Sequence, residues 1–183
     1  MTDSASRHYR IELFDPEKHD RSGFHCGVVQ VDNFFRRTAN KLAKADNTRV
    51  YVMTSPEADL IGFYALNAHT IDYGELPPRL ARTRPAHGFI PAAFLAMIGV
   101  DQRFSGQGFG GDLLVDALRR IVLAADHIGI AVVILDVLDD GNADLVTRRS
   151  KLYAGYGFQP LPSNPLRMFL PVATARMLLF YNR

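Results

Sequence analysis

The segment that most limits what this chain can fold into begins at Phe94. An apolar run, Phe94-Leu-Ala-Met-Ile-Gly-Val100, leads through Asp101-Gln-Arg-Phe-Ser105 into a glycine-rich turn, Gly106-Gln-Gly-Phe-Gly-Gly111, and then an amphipathic stretch. Glycines let the backbone bend and approach a ligand with no Cβ in the way, and the first turn of the helix that follows leaves N–H groups unpaired at a positive dipole end. Such a turn suits an anion, and a pyrophosphate fits it. A P-loop would close on Gly-Lys-Ser/Thr, which is absent here. A dinucleotide fingerprint can be laid over Gly106, Gly108 and Gly111, with Ala131–Asp136 supplying its acid. That fingerprint starts at the end of the first strand of its unit, whereas here Asp101–Ser105 intervene and much of the chain comes first. A plain strand-to-helix turn is the reading without a ligand.

With 183 residues, 48% of them hydrophobic, the chain is sized for one domain, residues 1–183, with a full core. The N-terminal stretch is short and polar, and no segment is apolar over a bilayer-spanning length, so a cytoplasmic protein without a membrane partner is expected. Cys26 is the only cysteine, and its expected role is that of a small apolar residue beside Phe24. The histidines show no ligand spacing, so no metal is expected. The net charge is only +2, but the charge is unevenly spread. Arg36, Arg37, Lys41, Lys44 and Arg49 are opposed only by Asp46, and Arg79, Arg82 and Arg84 lie in a stretch free of acids. Such runs suit either a solvated face or phosphate contacts.

Residues from His8 alternate as a strand does, and Asp32 is placed as the N-cap of a helix over Asn33–Ala45. Thr48–Thr54 and Asp59–His69 read as a hairpin turning at Ser55–Ala58. A proline-broken connection from Leu76 to Pro91 precedes a buried strand over Ala93–Val100, then a helix from Phe109 to about Ile128. Ala131–Val137 is apolar enough for a strand parallel to its predecessor. Asn142–Ala154 reads as a helix ended by Gly155 or Gly157, and Leu166–Pro171 and Arg176–Tyr181 as final strands. The class is α/β, a mixed central β-sheet flanked by helices.

The spacing Arg103-x-x-Gly106-x-Gly108 matches the coenzyme loop of the GNAT family of N-acetyltransferases, and the order of elements over nearly the whole chain resembles that fold. Leu152-Tyr153-Ala-Gly-Tyr-Gly157-Phe158 is similar to the family's segment near its last helix. Phe24-His-Cys26-Gly27-Val-Val-Gln-Val-Asp32-Asn-Phe34-Phe35, Gly62-Phe-Tyr64-Ala-Leu66 and Ser163-Asn-Pro165-Leu-Arg167-Met-Phe169 resemble the toxin subgroup, with Gly99 standing where alanine is usual and Leu152 where phenylalanine is. The resemblance implies a sheet splayed around acetyl-CoA. Ile98, Gly99 and Val100 would lie along the pantetheine, with Arg103, Gly106, Gln107, Gly108, Phe109, Gly110 and Gly111 at the pyrophosphate and Tyr153 beside the sulfur. It also implies an aminoacyl-tRNA acceptor, with Arg36, Arg37, Lys41, Lys44, Arg79, Arg82 and Arg84 as phosphate contacts. A ribbon-helix-helix antitoxin is the implied partner. A homodimer stays open, and no sequence-specific DNA binding by this chain is expected.

Acetyl transfer from a thioester needs a neutral amine. A lysine amine, with pKa near 10.4, is about one part in a thousand neutral at pH 7.4, whereas an α-amine near 7.7–8 is roughly a quarter neutral. No acid can be assigned as general base from the sequence, which suits an α-amine. Tyr153 is the candidate general acid for the departing thiolate. A small amine or protein N-terminus as acceptor, and a non-catalytic acyl-CoA-binding module, are the alternatives.

Overall fold

The computed structural model describes residues 8–83, 86 and 88–181. Two compact units emerge from it: the chain up to Ala65 together with Met97–Asp116, and Leu66–Ala96 together with the chain from Ala117 onward. Seven strands follow the order β1-β2-β3-β4-β5-β7-β6. They are β1 Arg10–Leu13, β2 Arg49–Thr54, β3 Leu60–Asp72, β4 Phe89–Val100, β5 Val132–Asp136, β6 Gln159–Pro160 and β7 Arg167–Pro171. The sheet is mixed. β1/β2, β5/β7 and β6/β7 are antiparallel, whereas β4 and β5 are parallel from Ala92↔Val132 to Leu95↔Leu135, as a strand–helix–strand connection requires.

In the first unit, β2 turns into β3 through Ser55–Ala58, where the Ser55 hydroxyl accepts the N–H groups of Glu57 and Asp59. Four phenylalanines pack together in the core. Phe35 and Phe63 stack with centroids 4.2 Å apart, and Phe24 meets both edge-on at 5.0 and 5.4 Å. Phe14 meets Phe35 at 5.5 Å. Phe35 reaches that core from an unusual helix: α1 Val29–Asn33, a π-helical turn Phe34–Thr38, and α2 Ala39–Lys44.

The helix therefore starts four residues before the expected Asn33, and Asp32 is not its N-cap. Asp32 sits inside α1, buried, where its carboxylate accepts the Cys26 N–H at 2.8 Å and pairs with His25 Nδ1 at 2.8 Å. An Asp in front of an apolar helical pattern reads as a cap, but a buried carboxylate with backbone partners across a turn leaves the same local signature.

The second unit has its own core of Ile71, Leu76, Ile90, Ala92, Val132, Ile134, Leu161 and Phe169. It contains the short helix α3 Pro78–Ala81, α5 Ala143–Gly155 capped by Asn142, whose side chain accepts the N–H groups of Asp144 and Leu145, and α6 Val172–Phe180. Helix α4, Phe109–Ala124, contributes residues to both units and ends four residues before the expected Ile128. β4 begins at Phe89 rather than Ala93. The expected last strand, Arg176–Tyr181, is instead within and just past helix α6. Its buried residues, Val172 and Ala175, are three apart, and an apolar run of Ala, Met and Leu favours a helix once Pro171 starts it. No helix among the described residues is long and apolar enough to cross a membrane.

Two glycines of the first unit exist for close packing. A Cβ on Gly62 would stand 2.7 Å from the Gly99 carbonyl oxygen and 2.8 Å from Leu113 Cδ1. One on Gly99 would stand 2.8 Å from Val31 Cγ1. Gly62→Ala is expected to lower stability by about 1–3 kcal/mol through overpacking. Gly129→Ala, with nothing within 4 Å of the new Cβ, is expected to be neutral or slightly stabilising. Urea titrations of both variants check this, and equal midpoints would contradict it.

Candidate active site

The loop between β4 and α4 is held from below by a buried carboxylate. Asp101, 2% exposed, accepts the Arg103 N–H and the Arg103 Nε at 3.0 Å on one oxygen, and the His25 N–H at 3.2 Å on the other. The Asp101 N–H donates to the Ile61 carbonyl, and the Gln102 N–H to that of His25. Residues Gln102–Phe104 form one 3-10 turn on this anchor. Burial pushes the Asp101 carboxyl up, but the Arg103 guanidinium and the two backbone donors outweigh it and hold the group below the ordinary aspartate range. Arg103 therefore braces the loop with its side chain. Its guanidinium also lies 3.6 Å from Asp59 and over the Phe104 ring.

Beyond the turn, Gly106 and Gly108 take φ of +74° and +84°. A Cβ at Gly106 would meet nothing within 4 Å, so the left-handed backbone, rather than space, demands glycine there. The N–H groups of Gln107, Gly108 and Gly110 have no acceptor among the described residues, at the head of the 16-residue α4. The Gly111 N–H, expected to be open as well, donates to the Gly108 carbonyl at 3.1 Å. Phe109 is buried, edge-on to Phe104 and Tyr9. Ile98, Gly99 and Val100 end β4 and are each only partly buried. This arrangement offers backbone donors and space to a phosphate group. A Cβ at Gly108 would need the same left-handed backbone.

Tyr153 belongs to the second unit, near the end of α5. Its ring meets Phe158 at 6.2 Å, and the chain reverses tightly there, with Tyr156 and Phe158 N–H groups both donating to the Tyr153 carbonyl. Gly157, φ +93°, makes the reversal possible, and a Cβ there would press on Leu170 and Leu178 at 3.3 and 3.4 Å. Burial raises the phenol above its ordinary pKa, with Arg149 opposing weakly, so the hydroxyl is neutral at physiological pH. It has no hydrogen-bond partner among the described residues.

Burial, and then the bond to Asp32, push the Cys26 thiol up to about 12, which disfavours the thiolate that a nucleophile needs. Arg36, Arg37, Lys41 and Lys44 are all exposed along one helical run of the first unit. Arg36 turns back to Asp32, at 3.7 Å from its carboxylate, whereas Arg37, Lys41 and Lys44 have no acidic partner among the described residues. Arg79 and Arg82 are exposed in and just after α3, in the second unit, and Arg84 lies outside the described residues. Sequence reasoning passed over Asp101 as a site residue. A lone acid directly after an apolar strand and two residues before an arginine was its signal.

No family model matches the chain. The probable toxin TacT of Sinorhizobium fredii is 59% identical over 180 residues, spanning 98% of this chain and 99% of that protein. The tRNA-acetylating toxin of Mycobacterium tuberculosis is 29% identical, spanning 87% of this chain and 90% of its own length. Among solved structures, AtaT complexed with acetyl-methionyl-tRNAfMet superposes with a TM-score of 0.81 at 22% identity, over 93% of this chain and 98% of that one. A tyrosine-to-phenylalanine variant of AtaT, bound to the C-terminus of its antitoxin AtaR and acetyl-CoA, gives 0.75 at 21% identity, over 94% and 98%. This chain belongs to the TacT family of toxins, acetyl-CoA-dependent N-acetyltransferases of the GNAT fold.

The Asp101 anchor carries a pH signature. Its carboxyl is depressed in the folded state, so its stabilising contribution is complete above the unfolded aspartate pKa, near 3.9, and is lost as pH falls through the folded value. Asp101→Asn is expected to cost roughly 1–3 kcal/mol at pH 7 by removing charge-assisted bonds. The gap to wild type should close in acid. Denaturant midpoints at pH 7 and below 4 check this, and a gap that persists in acid would mean that packing, not charge, is what Asp101 supplies.

Proposed function

We propose that this protein moves the acetyl group of acetyl-CoA onto the α-amino group of an aminoacyl-tRNA in the cytoplasm, and that it acts as the toxin of a toxin–antitoxin pair. The observation that carries this reading is the pair of left-handed glycines, Gly106 and Gly108, presenting open N–H groups at the start of α4 in a chain 59% identical to a TacT toxin. Acetyl-CoA supplies an acetyl thioester when bound. The backbone donors of Gln107, Gly108 and Gly110, reinforced by the α4 dipole, hold the pyrophosphate, and Asp101 keeps the Arg103 turn in place beneath them. Ile98, Gly99 and Val100 offer strand backbone to the pantetheine amides, while Phe109, Gly110 and Gly111 set the loop's exit into the helix. Tyr153, protonated as phenols are at physiological pH, is the candidate general acid, its O–H offered to the departing sulfur as charge develops there.

The acceptor follows from chemistry and from relatives. An α-amine is already neutral in good part at physiological pH and needs little general-base help. The related Mycobacterium tuberculosis protein is named for acetylating tRNA, and the solved AtaT complexes contain acetyl-methionyl-tRNA in one case and an antitoxin tail in the other. Arg37, Lys41 and Lys44, with Arg36, Arg79, Arg82 and Arg84, are the phosphate contacts of this reading. A ribbon-helix-helix antitoxin is the proposed partner.

The direct test is mass spectrometry of aminoacyl-tRNA after incubation with the protein and isotope-labelled acetyl-CoA. Label on the aminoacyl group is expected, and label on a polyamine or protein N-terminus instead would overturn the acceptor. Gly108→Val should weaken acetyl-CoA by more than tenfold in calorimetry, a loss of about 1.4 kcal/mol, because its left-handed backbone is closed to a β-branched residue. Tyr153→Phe should keep coenzyme affinity and lose kcat by a factor on the order of 10². Wild-type kcat in that variant would make Tyr153 a packing residue. Arg37→Gln with Lys41→Gln should flatten the salt dependence of turnover on charged tRNA, since each phosphate contact contributes roughly 0.7–0.9 to the log–log slope. Turnover on a small aminoacyl ester should not change, and equal losses on both acceptors would count against a tRNA face at this helix.

A further inference from the structure

The second unit contains a cavity that the coenzyme and the proposed acid leave unused. It measures about 300 Å³ and is lined by Tyr73, Gly74, Leu76, Pro78, Ala81 and Arg82. The chain builds it from a 3-10 turn, Tyr73–Glu75, followed by α3, with the Asp72 carboxylate accepting the Gly74 N–H to start the turn. The Tyr73 N–H donates to the Gly88 carbonyl. Gly88, φ +83°, lets the ring lie against bare backbone, since a Cβ there would stand 3.3 Å from Tyr73 Cε1. The ring is thus held in place and half-buried beside Leu76, which anchors the floor in the unit's core. Arg82, just past α3, lines the cavity, and Arg79 lies within that helix, both exposed. Asp72, whose carboxylate is taken up by the Gly74 N–H, and Glu75 adjoin the turn, and the chain from Leu76 to Val100 carries no acid.

A small space with a fixed aromatic face, an apolar floor and a guanidinium at its mouth has the chemistry of a site for one unpaired nucleotide. Proteins read single-stranded RNA by stacking splayed bases on aromatic rings or arginine planes, while arginine pairs with the phosphate. A charged tRNA presents an unpaired 3′ end, and its phosphates suit the Arg82 guanidinium. We propose that this cavity takes an unpaired nucleotide of the acceptor's 3′ end, the base on Tyr73 and a phosphate on Arg82. The proposal rests on the reading that the acceptor is an aminoacyl-tRNA, and it names the part of that RNA which the second unit holds.

The test uses the full chain and the RNA trinucleotide CCA, 5′-labelled for fluorescence anisotropy, with tripolyphosphate as a charge-only competitor. Tyr73→Leu, which keeps apolar bulk, and Arg82→Gln, an exposed position outside the core, should each weaken CCA about tenfold, the scale of losing one stacked base or one charge-assisted contact. Tyr73→Phe should restore binding because the ring remains. On charged tRNA, Tyr73→Leu should raise KM and leave kcat and turnover of a small aminoacyl ester unchanged, a split that a folding defect would not give. Arg82→Gln should lower the salt slope, and Tyr73→Leu should not. Wild-type CCA binding in both variants overturns the proposal, as does complete displacement of CCA by tripolyphosphate at matched charge. Acetylation of charged tRNA is scored separately. If it occurs while CCA binding ignores Tyr73, the pocket fails and the acceptor stands; if Tyr73-dependent CCA binding occurs without acetylation, the acceptor reading fails and the RNA pocket stands.

Discussion

A single buried carboxylate sets the geometry on which the loop before α4 depends. Asp101 ends β4 with its N–H on the Ile61 carbonyl, so the sheet fixes its position, and its side chain then collects two donors from Arg103 and one from the His25 backbone. A carboxylate removed from water is tolerated only when its lone pairs are filled. Filling them draws two distant stretches of the first unit together: the turn that leads into the glycines and the segment around Cys26. Asp32 does the same work from the other side, binding His25 and the Cys26 N–H. The two acids clasp one short strand of backbone between them. The glycine-rich loop thus begins from an anchored point, and under the proposed function its left-handed residues present N–H groups already aimed at the ligand.

What the sequence shows plainly is what short-range physics controls. Gly106 and Gly108 stand where a strand must become a helix within a few residues, and the structure gives both a positive φ. The parallel pairing of β4 and β5 follows from the length of the helix between them. Asn142 is legible as a cap because its side chain is short and the α5 pattern begins directly after it. Asp32 looks the same to local reasoning, yet its partners lie across a turn that no periodicity reveals. The last element fails for a related reason. Residues after Pro171 are apolar in an unbroken run, which a strand and a buried helix share, and only tertiary packing of Val172 and Ala175 decides between them. The basic residues are legible as charges but not as a surface: Arg36 is drawn back to Asp32, and nothing in its spacing foretells that. The roles assigned to the candidate site residues come from family likeness and local chemistry together, the geometry adding which amides are open and which, like that of Gly111, are already engaged.

The glycines divide into two kinds with different consequences for change. Gly62 and Gly99 are there because neighbouring atoms occupy the place of a Cβ, so substitution is felt as crowding of the phenylalanine core through Val31 and Leu113. Gly106 has open space around it and is constrained by backbone alone. A side chain there strains the loop and not the core, which predicts that damage at Gly106 and Gly108 falls on ligand binding, whereas damage at Gly62 and Gly99 falls on folding. The separation matters because both sets lie within one unit, less than one helix length apart in sequence around β4 and α4 in three of the four cases.

In the proposed reaction, burial works against the Tyr153 hydroxyl as an acid. A phenol raised above its ordinary pKa, near 10, is a weaker acid than the thiol, near 8.5, whose conjugate base it would protonate. Proton transfer to a free thiolate would run uphill, so the residue contributes little by acidity itself. The proton is present at physiological pH with or without burial, and the hydroxyl has no protein acceptor among the described residues. In the proposed reaction its donor capacity is left for the charge that develops on sulfur. Stabilising a developing anion with one such donor is worth a factor on the order of 10²–10³, the scale proposed for the loss of this hydroxyl. The rest of the rate must then come from holding a neutral amine against the thioester, and an acceptor whose amine needs no base is the one such a site can use.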